Sequence, residues 1–153
     1  MIDKVAFVEL AKDRLRDVYH TFGLRDTGSR AGRAFVELTA ANNIRYLVVG
    51  MDQRQDYRVY AKIGKTMPDG QPLHKVPHPG TANDVVEFDL EFVMAQSAQS
   101  TEDFGAFGSG TQEEVGAALA EVANALRMYA TRLLAGDAQE WDRLALVMTS
   151  RQG

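Results

Sequence analysis

A proline-rich stretch in the middle of the chain sets the main limit on its fold. The protein has 153 residues and four prolines, and all four prolines lie between Lys65 and Asn83, together with Gly70 and Gly80. Proline removes a backbone donor and glycine favours turns, so no long helix or central strand is expected to cross this stretch. We therefore expect regular elements on both sides of it, joined by a long loop of the kind that often carries function.

The N-terminal segment has the pattern of an amphipathic helix. Val8, Leu15 and Phe22 belong to one apolar stripe with helical spacing. Asp3 precedes the stripe as an N-cap residue, and Gly23 follows it where a left-handed C-cap is common. The sequence therefore predicts one helix at the N-terminus.

Three β-type runs follow this helix. LRDTGSRAGR is expected to be a loop, and AFVELTA, IRYLVVGM and YRVYAKIG are expected to form an antiparallel meander. AFVELTA also fits a helix, with Phe35 and Leu38 on one face, but the Asn-rich turn after it favours a strand. In this interpretation, Asp52 and Asp56 lie at a hairpin tip.

The segment DVVEFDLEFVM, residues 84–94, alternates between apolar and acidic residues. As a fourth strand it would turn its apolar residues to the core and align Glu87, Asp89 and Glu91 on the other face. Such a row of carboxylates is most often the hydrated side of a sheet. It can also be a surface for a partner, or an acid/base or metal site.

The C-terminal third is predicted to be helical. Thr111 with Glu114 and Asp137 with Glu140 form two capping boxes, and Gly136 separates the helices that they start. The predicted architecture is a single α+β domain over residues 1–153. It consists of an N-terminal helix, a four-stranded antiparallel sheet and two C-terminal helices packed on one face of the sheet.

Motifs for catalysis, cofactors or metals are weak. The chain has no cysteine, which excludes a thiolate nucleophile and Cys-based zinc sites. His74 and His78 are four residues apart, but Pro77 and Pro79 exclude the helix that such a pair of zinc ligands needs. GSRAGR lacks the strand and helix around a phosphate-binding loop. We expect no catalytic residue, cofactor or metal ion, and we expect Trp141 to lie in the core.

Charge is unevenly distributed along the chain. From Val76 to Leu126 all charged residues are Asp or Glu, and there is no Lys or Arg, while the net charge of the whole chain is only −4. This pattern disfavours nucleic acid and mildly favours a cationic partner. The charged N-terminus and the lack of a long apolar run predict a cytoplasmic protein without a membrane segment.

Two parts of the chain resemble small bacterial proteins. They are the C-terminal run LRMYATRLLAGDAQEWDRLALVMTSR and, after a helix ending in FGL, the run AFVELTAANNIRYLVVGMDQRQDYRVYAKIG. Some of these proteins are similar to immunity proteins of polymorphic or contact-dependent toxin systems. The resemblance implies a cytoplasmic protein that binds and neutralises a cognate toxin without catalysis.

This resemblance agrees with the charge pattern, and together they give a specific expectation. The toxin would be cationic, and Glu87, Asp89, Glu91, Asp52 and Asp56 would bind it. One alternative is a small enzyme or ligand-binding domain with its pocket between the sheet and residues 65–83. Another is a structural or secretion-associated adaptor, which a tight homo-oligomer without a small ligand would favour.

Overall fold

The computed structural model describes residues 1–67, 71–73, 75, 80–97 and 110–152. The chain has the predicted α+β class. Its helices and strands are α1 Lys4–Arg14, α2 Arg16–Phe22, β1 Arg25–Ala31, β2 Phe35–Ala41, β3 Arg45–Asp52, β4 Arg58–Lys65, β5 Glu87–Asp89, α3 Leu90–Ser97, α4 Gln112–Tyr129, α5 Thr131–Leu134 and α6 Ala138–Gln152.

The strands form one five-stranded sheet in the order β1-β2-β3-β4-β5, and every neighbouring pair is antiparallel. Alternate residues of the strands face the helices, and they join one apolar core with α1, α4 and α6. The helix-facing residues of β2, β3 and β4 are Val36, Leu38, Ala40, Leu47, Val49, Met51, Val59, Ala61 and Ile63.

The prediction of four strands was wrong, because LRDTGSRAGR contains the edge strand β1 rather than only a loop. All seven residues of β1 are exposed. A strand that is exposed on both faces has no apolar alternation by which the sequence could reveal it. The pairing with β2 shifts between Asp26 and Gly28, where Gly28 has a φ of 122°. This is a β-bulge at a position that glycine tolerates well.

The prediction that DVVEFDLEFVM is one long strand was also wrong. Only Glu87–Asp89 pairs with β4, and α3 begins at Leu90. Leu90, Val93 and Met94 are all buried, which is the i, i+3, i+4 spacing of a helix. Leu90 and Met94 fit both periods, so the alternation in the sequence concealed the change from strand to helix.

The predicted N-terminal helix has the expected ends but is broken in the middle. The side chain of Asp3 accepts a hydrogen bond from the Ala6 N–H at 2.7 Å, and Gly23 is left-handed with a φ of 62°. Leu15 has a φ of −98° and a ψ of 1°, so it separates α1 from α2. Its side chain is fully buried, which places the break at a core position.

The C-terminal region has both predicted N-cap contacts but three helical segments instead of two. The Glu114 N–H donates to Thr111 Oγ1 at 3.1 Å, and the Glu140 N–H donates to Asp137 Oδ1 at 3.0 Å. Ala130 has a φ of −115° and ends α4, so the short helix α5 precedes the turn at Gly136.

Trp141 of α6 lies in the core, as expected, and two cations accompany it. The ring centroids of Trp141 and Phe88 are 4.5 Å apart. The guanidinium carbon of Arg45 is 4.7 Å and the ammonium nitrogen of Lys65 is 5.1 Å from the indole centroid. Burial lowers the pKa of both cations. Cation–π contacts offset part of the cost of placing charge here.

The described part of the segment after β4 runs back along the sheet. Thr66 and Pro72 form an isolated bridge, and the Leu73 N–H donates to the Lys65 carbonyl at 3.1 Å. His74 and His78 lie outside the described residues. Within the parts of the chain that the structure describes, no helix is both long and apolar enough to cross a membrane.

Candidate functional site

The face of the sheet opposite the helices forms a separate polar surface, which we call the open face. Its side chains alternate with the helix-facing ones and do not belong to the apolar core. The register places on it Arg30, Glu37, Thr39, Tyr46, Val48, Gly50, Asp52, Arg58, Tyr60, Lys62, Gly64, Glu87 and Asp89.

A tyrosine on β4 crosses the open face to reach a glutamate on β2. Glu37, Gly50 and Tyr60 lie opposite one another on three neighbouring strands. The Tyr60 hydroxyl donates to Glu37 Oε2 at 2.6 Å. A Cβ on Gly50 would lie 2.4 Å from a carbon of the Tyr60 ring, so only glycine leaves room for this contact.

Arg30 completes the environment of Glu37. Its Nε lies 2.8 Å and its Nη2 lies 2.7 Å from Glu37 Oε1. Burial raises the pKa of Glu37, but hydrogen bonds from Tyr60 and Arg30 outweigh it, and the net pKa is below the usual value. Burial and the bond to Glu37 raise the pKa of Tyr60. Near neutral pH the pair is therefore a carboxylate acceptor and a neutral phenol donor.

A second unit of the same kind lies one strand further on. Tyr46 on β3 passes over Gly64 on β4, and its hydroxyl donates to Glu87 Oε2 on β5 at 2.5 Å. A Cβ on Gly64 would be 1.9 Å from the Tyr46 ring. The Lys75 ammonium binds the other oxygen of Glu87 at 2.8 Å. Burial, with Glu87 as the second cause, raises the pKa of Tyr46.

We call these two units the Tyr–Gly–Glu bridges. Each joins three neighbouring strands through one tyrosine that lies over one glycine, which replaces the packing that the glycine lacks. Each glutamate also binds a basic side chain, Arg30 or Lys75. Because the hydroxyl and both carboxylate oxygens of each bridge have partners, each tyrosine and glutamate is held in place before any ligand binds.

A cleft of about 440 Å³ opens beside the first bridge. Arg58 of β4 and Glu91 of α3 form an ion pair at its rim. The cleft combines charged groups of both signs with aromatic rings. Its lining residues are Arg30, Phe35, Glu37, Asp52, Gln55, Arg58, Tyr60, Ala61, Lys62, Asp89 and Glu91.

The structure brings most of the partner-binding residues predicted from the sequence to this face. Asp52, Asp89 and Glu91 line the cleft, and Glu87 lies on the same face in the second bridge. Asp56 does not line the cleft. It is exposed at the hairpin tip in a left-handed conformation with a φ of 54°.

The acidic residues predicted to form a row lie beside basic side chains in the folded protein. Glu87 pairs with Lys75, Glu91 pairs with Arg58, and Asp89 lies opposite Lys62 in the register. The open face therefore carries charges of both signs in close alternation. Two carboxylates of the cleft, Asp52 and Asp89, have no ion pair with a described side chain, so they remain available to a cationic group.

The other sequence candidates do not build a second site here. In the described portion of the chain, no group of three or more His, Asp and Glu side chains is arranged to hold a metal ion. GSRAGR is mostly strand and not a loop folded around an anion. Two nitrogens of Arg30 bind Glu37, and the rest of its side chain is exposed to solvent.

Sequence reasoning missed the members of the bridges other than Glu87. A signal was present, because Gly50 and Gly64 interrupt β-branched and aromatic runs, and glycine within a strand often marks a close approach. The sequence does not specify which aromatic ring approaches each glycine. That depends on the register of β3 with β4, which places Tyr60 opposite Gly50 and Tyr46 opposite Gly64.

Comparison with known proteins found no matching family model, no similar curated protein and no similar solved structure. The resemblance to immunity proteins therefore stays a hypothesis, and any function has to be argued from the open face itself.

Proposed function

We propose that this chain is a non-catalytic binding protein that captures another protein with the open face of its sheet. We further propose that it is a cytoplasmic immunity protein and that the captured protein is its cognate bacterial toxin. The observation that carries the proposal is the first Tyr–Gly–Glu bridge, which holds Tyr60, Glu37 and Arg30 beside a cleft.

The composition of the cleft supports a protein partner. Tyrosine, phenylalanine and arginine are enriched where proteins bind one another, and Tyr60, Phe35, Arg30 and Arg58 line this cleft. Tyr60 and Arg30 are already held by Glu37. Less conformational entropy is then lost on binding than for free side chains, which favours affinity without a large interface.

The charges indicate what the partner presents. Asp52 and Asp89 line the cleft without ion pairs to described side chains, so they favour lysine or arginine on the partner. Arg58 and Glu91 are already paired at the rim and set the orientation of an approaching charged surface. A cationic toxin fits this pattern.

The proposal is tested by co-expression in a bacterial host with toxin genes encoded beside the gene for this chain. The wild type is expected to protect growth and to bind the toxin in a biosensor. Asp52→Lys combined with Asp89→Lys should slow association by about ten-fold, because it reverses the free charges of the cleft. Glu113→Lys combined with Glu121→Lys on the exposed side of α4 makes the same change in net charge, so it is the control and should bind like the wild type.

Two results would count against capture by the open face. One is full protection by the Asp52→Lys, Asp89→Lys protein with an unchanged association rate. The other is an equal loss of binding in the Glu113→Lys, Glu121→Lys control, which would indicate that net charge alone matters.

The cleft also supports a second candidate function, which is binding of a small ligand. Its volume of about 440 Å³ lies within the usual range for small-molecule sites, about 300–1,000 Å³. The sequence-based alternative placed a pocket between the sheet and residues 65–83. The observed cleft lies on the sheet, and none of its described lining residues belongs to that segment. Amide shifts of Tyr60, Lys62 and Asp89 in a screen of zwitterionic small molecules would favour this function. Shifts only on toxin addition would favour protein capture.

A further inference from the structure

The outer edge of β1 is open to a further strand. β1 is the first strand in the order of the sheet, so among the described residues only one of its edges is paired. All of its residues are exposed, and no described strand pairs with its outer edge. An edge of this kind presents unpaired backbone groups to solvent.

The register identifies the backbone groups that point outward. The Gly32 N–H donates to the Phe35 carbonyl at 3.0 Å, so this is a hydrogen-bonded pair. Antiparallel residue pairs alternate between hydrogen-bonded and non-hydrogen-bonded, so the next hydrogen-bonded pair of backbones is Arg30 with Glu37 of β2. Ser29 and Ala31 are the non-bonded positions, and their N–H and C=O groups face the open edge.

A second cleft of about 440 Å³ runs along this edge between β1 and α1. Ser29 and Ala31 line its sheet side. Val5 and Val8 line its helix side, and Val5 is 75% exposed. The cleft therefore offers apolar surface to alternate side chains of a strand that pairs with β1.

The edge is basic, and the charges lie on a defined side. The register places Arg25 and Arg30 on the open-face side of β1, away from α1. Lys4 and Lys12 stand in the cleft wall, where Lys4 donates to the Gly32 carbonyl and Lys12 pairs with Asp26 of β1 and with Glu9. A second copy of this chain would bring another basic edge against the first, which disfavours pairing between two copies.

We propose that the edge of β1 accepts an extended segment of a different protein, in which apolar and acidic residues alternate. Its backbone pairs with Ser29 and Ala31, its apolar side chains enter the cleft toward Val5 and Val8, and its acidic side chains face Arg25 and Arg30. Strand addition of this kind takes affinity from main-chain bonds and specificity from alternate side chains.

The charges and the bulge of β1 are consistent with this use. Both are common means by which sheet edges avoid indiscriminate pairing. Arg25 and Arg30 repel basic segments, and the bulge between Asp26 and Gly28 interrupts the regular ladder of β1. A segment in which acidic and apolar residues alternate, with its acidic residues facing Arg25 and Arg30, is not repelled.

The test uses a short blocked peptide in which valine and glutamate alternate, and a peptide of equal composition with the two residues in separate blocks. Amide exchange and amide shifts of the whole protein are followed by NMR. The alternating peptide is expected to slow exchange at Ser29 and Ala31 and to shift β1 and α1 signals. The block peptide is expected to do neither.

Proline at an outward-facing position provides the matching variant. Ala31→Pro removes one outward N–H while leaving the bonds between β1 and β2, and it should weaken peptide binding by about ten-fold. Ala31→Ser keeps the N–H and should bind like the wild type. Equal binding by Ala31→Pro, or signals that move only on the open face, would overturn the proposal.

A charge variant keeps the test decisive if Ala31→Pro fails to fold. Arg25 is exposed and has no ion pair with a described side chain, so Arg25→Glu should fold normally. It should weaken binding of the glutamate–valine peptide and strengthen binding of a lysine–valine peptide. No change in this preference would contradict the proposal. The readout lies on β1, so it is separate from toxin capture by the open face.

Discussion

At the scale of single residues, Gly50 and Gly64 make the open face possible. Each lies in the middle of a sheet, where glycine usually weakens a strand. Here the missing side chain lets Tyr60 and Tyr46 lie across the sheet and reach Glu37 and Glu87. The consequence is that these positions are restricted by the tyrosines and not by backbone conformation, since neither glycine has a positive φ.

Gly64→Ala should destabilise the protein by about 1–3 kcal/mol, because the added methyl group would overpack against Tyr46. Tyr46 is only 3% exposed and has no room to move. Gly50→Ala should cost less, because Tyr60 is half-buried and can swing outward. Urea unfolding measures both changes. Gly80→Ala, with nothing within 4 Å of its Cβ, is the control and should stay within about ±0.5 kcal/mol.

Glu37 predicts a pH effect on the acid side. Its pKa is lower in the folded protein than in the unfolded chain, where it is near 4.5. The stability it contributes is present above this value and is lost as the pH falls through the folded pKa, because the unfolded chain then binds the extra proton. Melting temperatures measured between about pH 6 and about pH 3 should fall less steeply for Glu37→Gln than for the wild type. Parallel curves would exclude this role.

At the scale of elements, residues 84–94 have two interpretations, which are one uninterrupted strand or the short strand β5 followed by helix α3. In an uninterrupted strand, Val93 would share the hydrated face with Asp89 and Glu91. In α3 it is 1% exposed and joins the core with Leu90 and Met94. Val93 is therefore the residue that distinguishes the two.

Val93→Ala should destabilise the protein by about 2 kcal/mol, since it leaves a small cavity in the core. Val5→Ala makes the same chemical change at a site that is 75% exposed, and it should stay within about ±0.5 kcal/mol. Chemical denaturation compares the two. An equally small effect of both changes would favour the strand and contradict α3.

Local signals in the sequence predicted element ends well. Asp3, Thr111 and Asp137 cap helices through contacts within three residues, which a single sequence contains. β1 was missed because an edge strand exposed on both faces needs no apolar residues. The Tyr–Gly–Glu bridges were missed because register brings together residues far apart in sequence, such as Tyr46 and Glu87.

At the scale of the whole molecule, charges that are segregated in sequence are mixed in space. The acidic segment after residue 76 contributes Glu87, Asp89 and Glu91. The antiparallel sheet sets them beside Lys62 and Arg58 of the basic first half. The long-range field at the open face is therefore smaller than the sequence suggests, and the free carboxylates there matter more than the total charge.

This mixing predicts that the triple change Glu87→Lys, Asp89→Lys, Glu91→Lys destabilises the fold. If all three side chains only faced water, the fold would survive it. Glu87 instead accepts bonds from Tyr46 and Lys75, and Glu91 pairs with Arg58. Loss of these partners and new like-charge contacts should cost about 2 kcal/mol or more in urea unfolding. Glu113→Lys with Glu121→Lys on the exposed side of α4 should cost far less. Similar losses of stability for both proteins would contradict the pairing.

The buried position of Trp141 has an optical consequence. The chain contains one tryptophan, so its fluorescence reports a single place, the contact of α6 with Phe88 and with Val85, whose carbonyl accepts the indole N–H at 3.3 Å. The emission should shift to longer wavelength when α6 leaves the sheet. If the domain unfolds as one cooperative unit, this shift and the loss of far-ultraviolet circular dichroism occur at the same denaturant concentration. The protein thus carries its own unlabelled probe for every stability comparison made above.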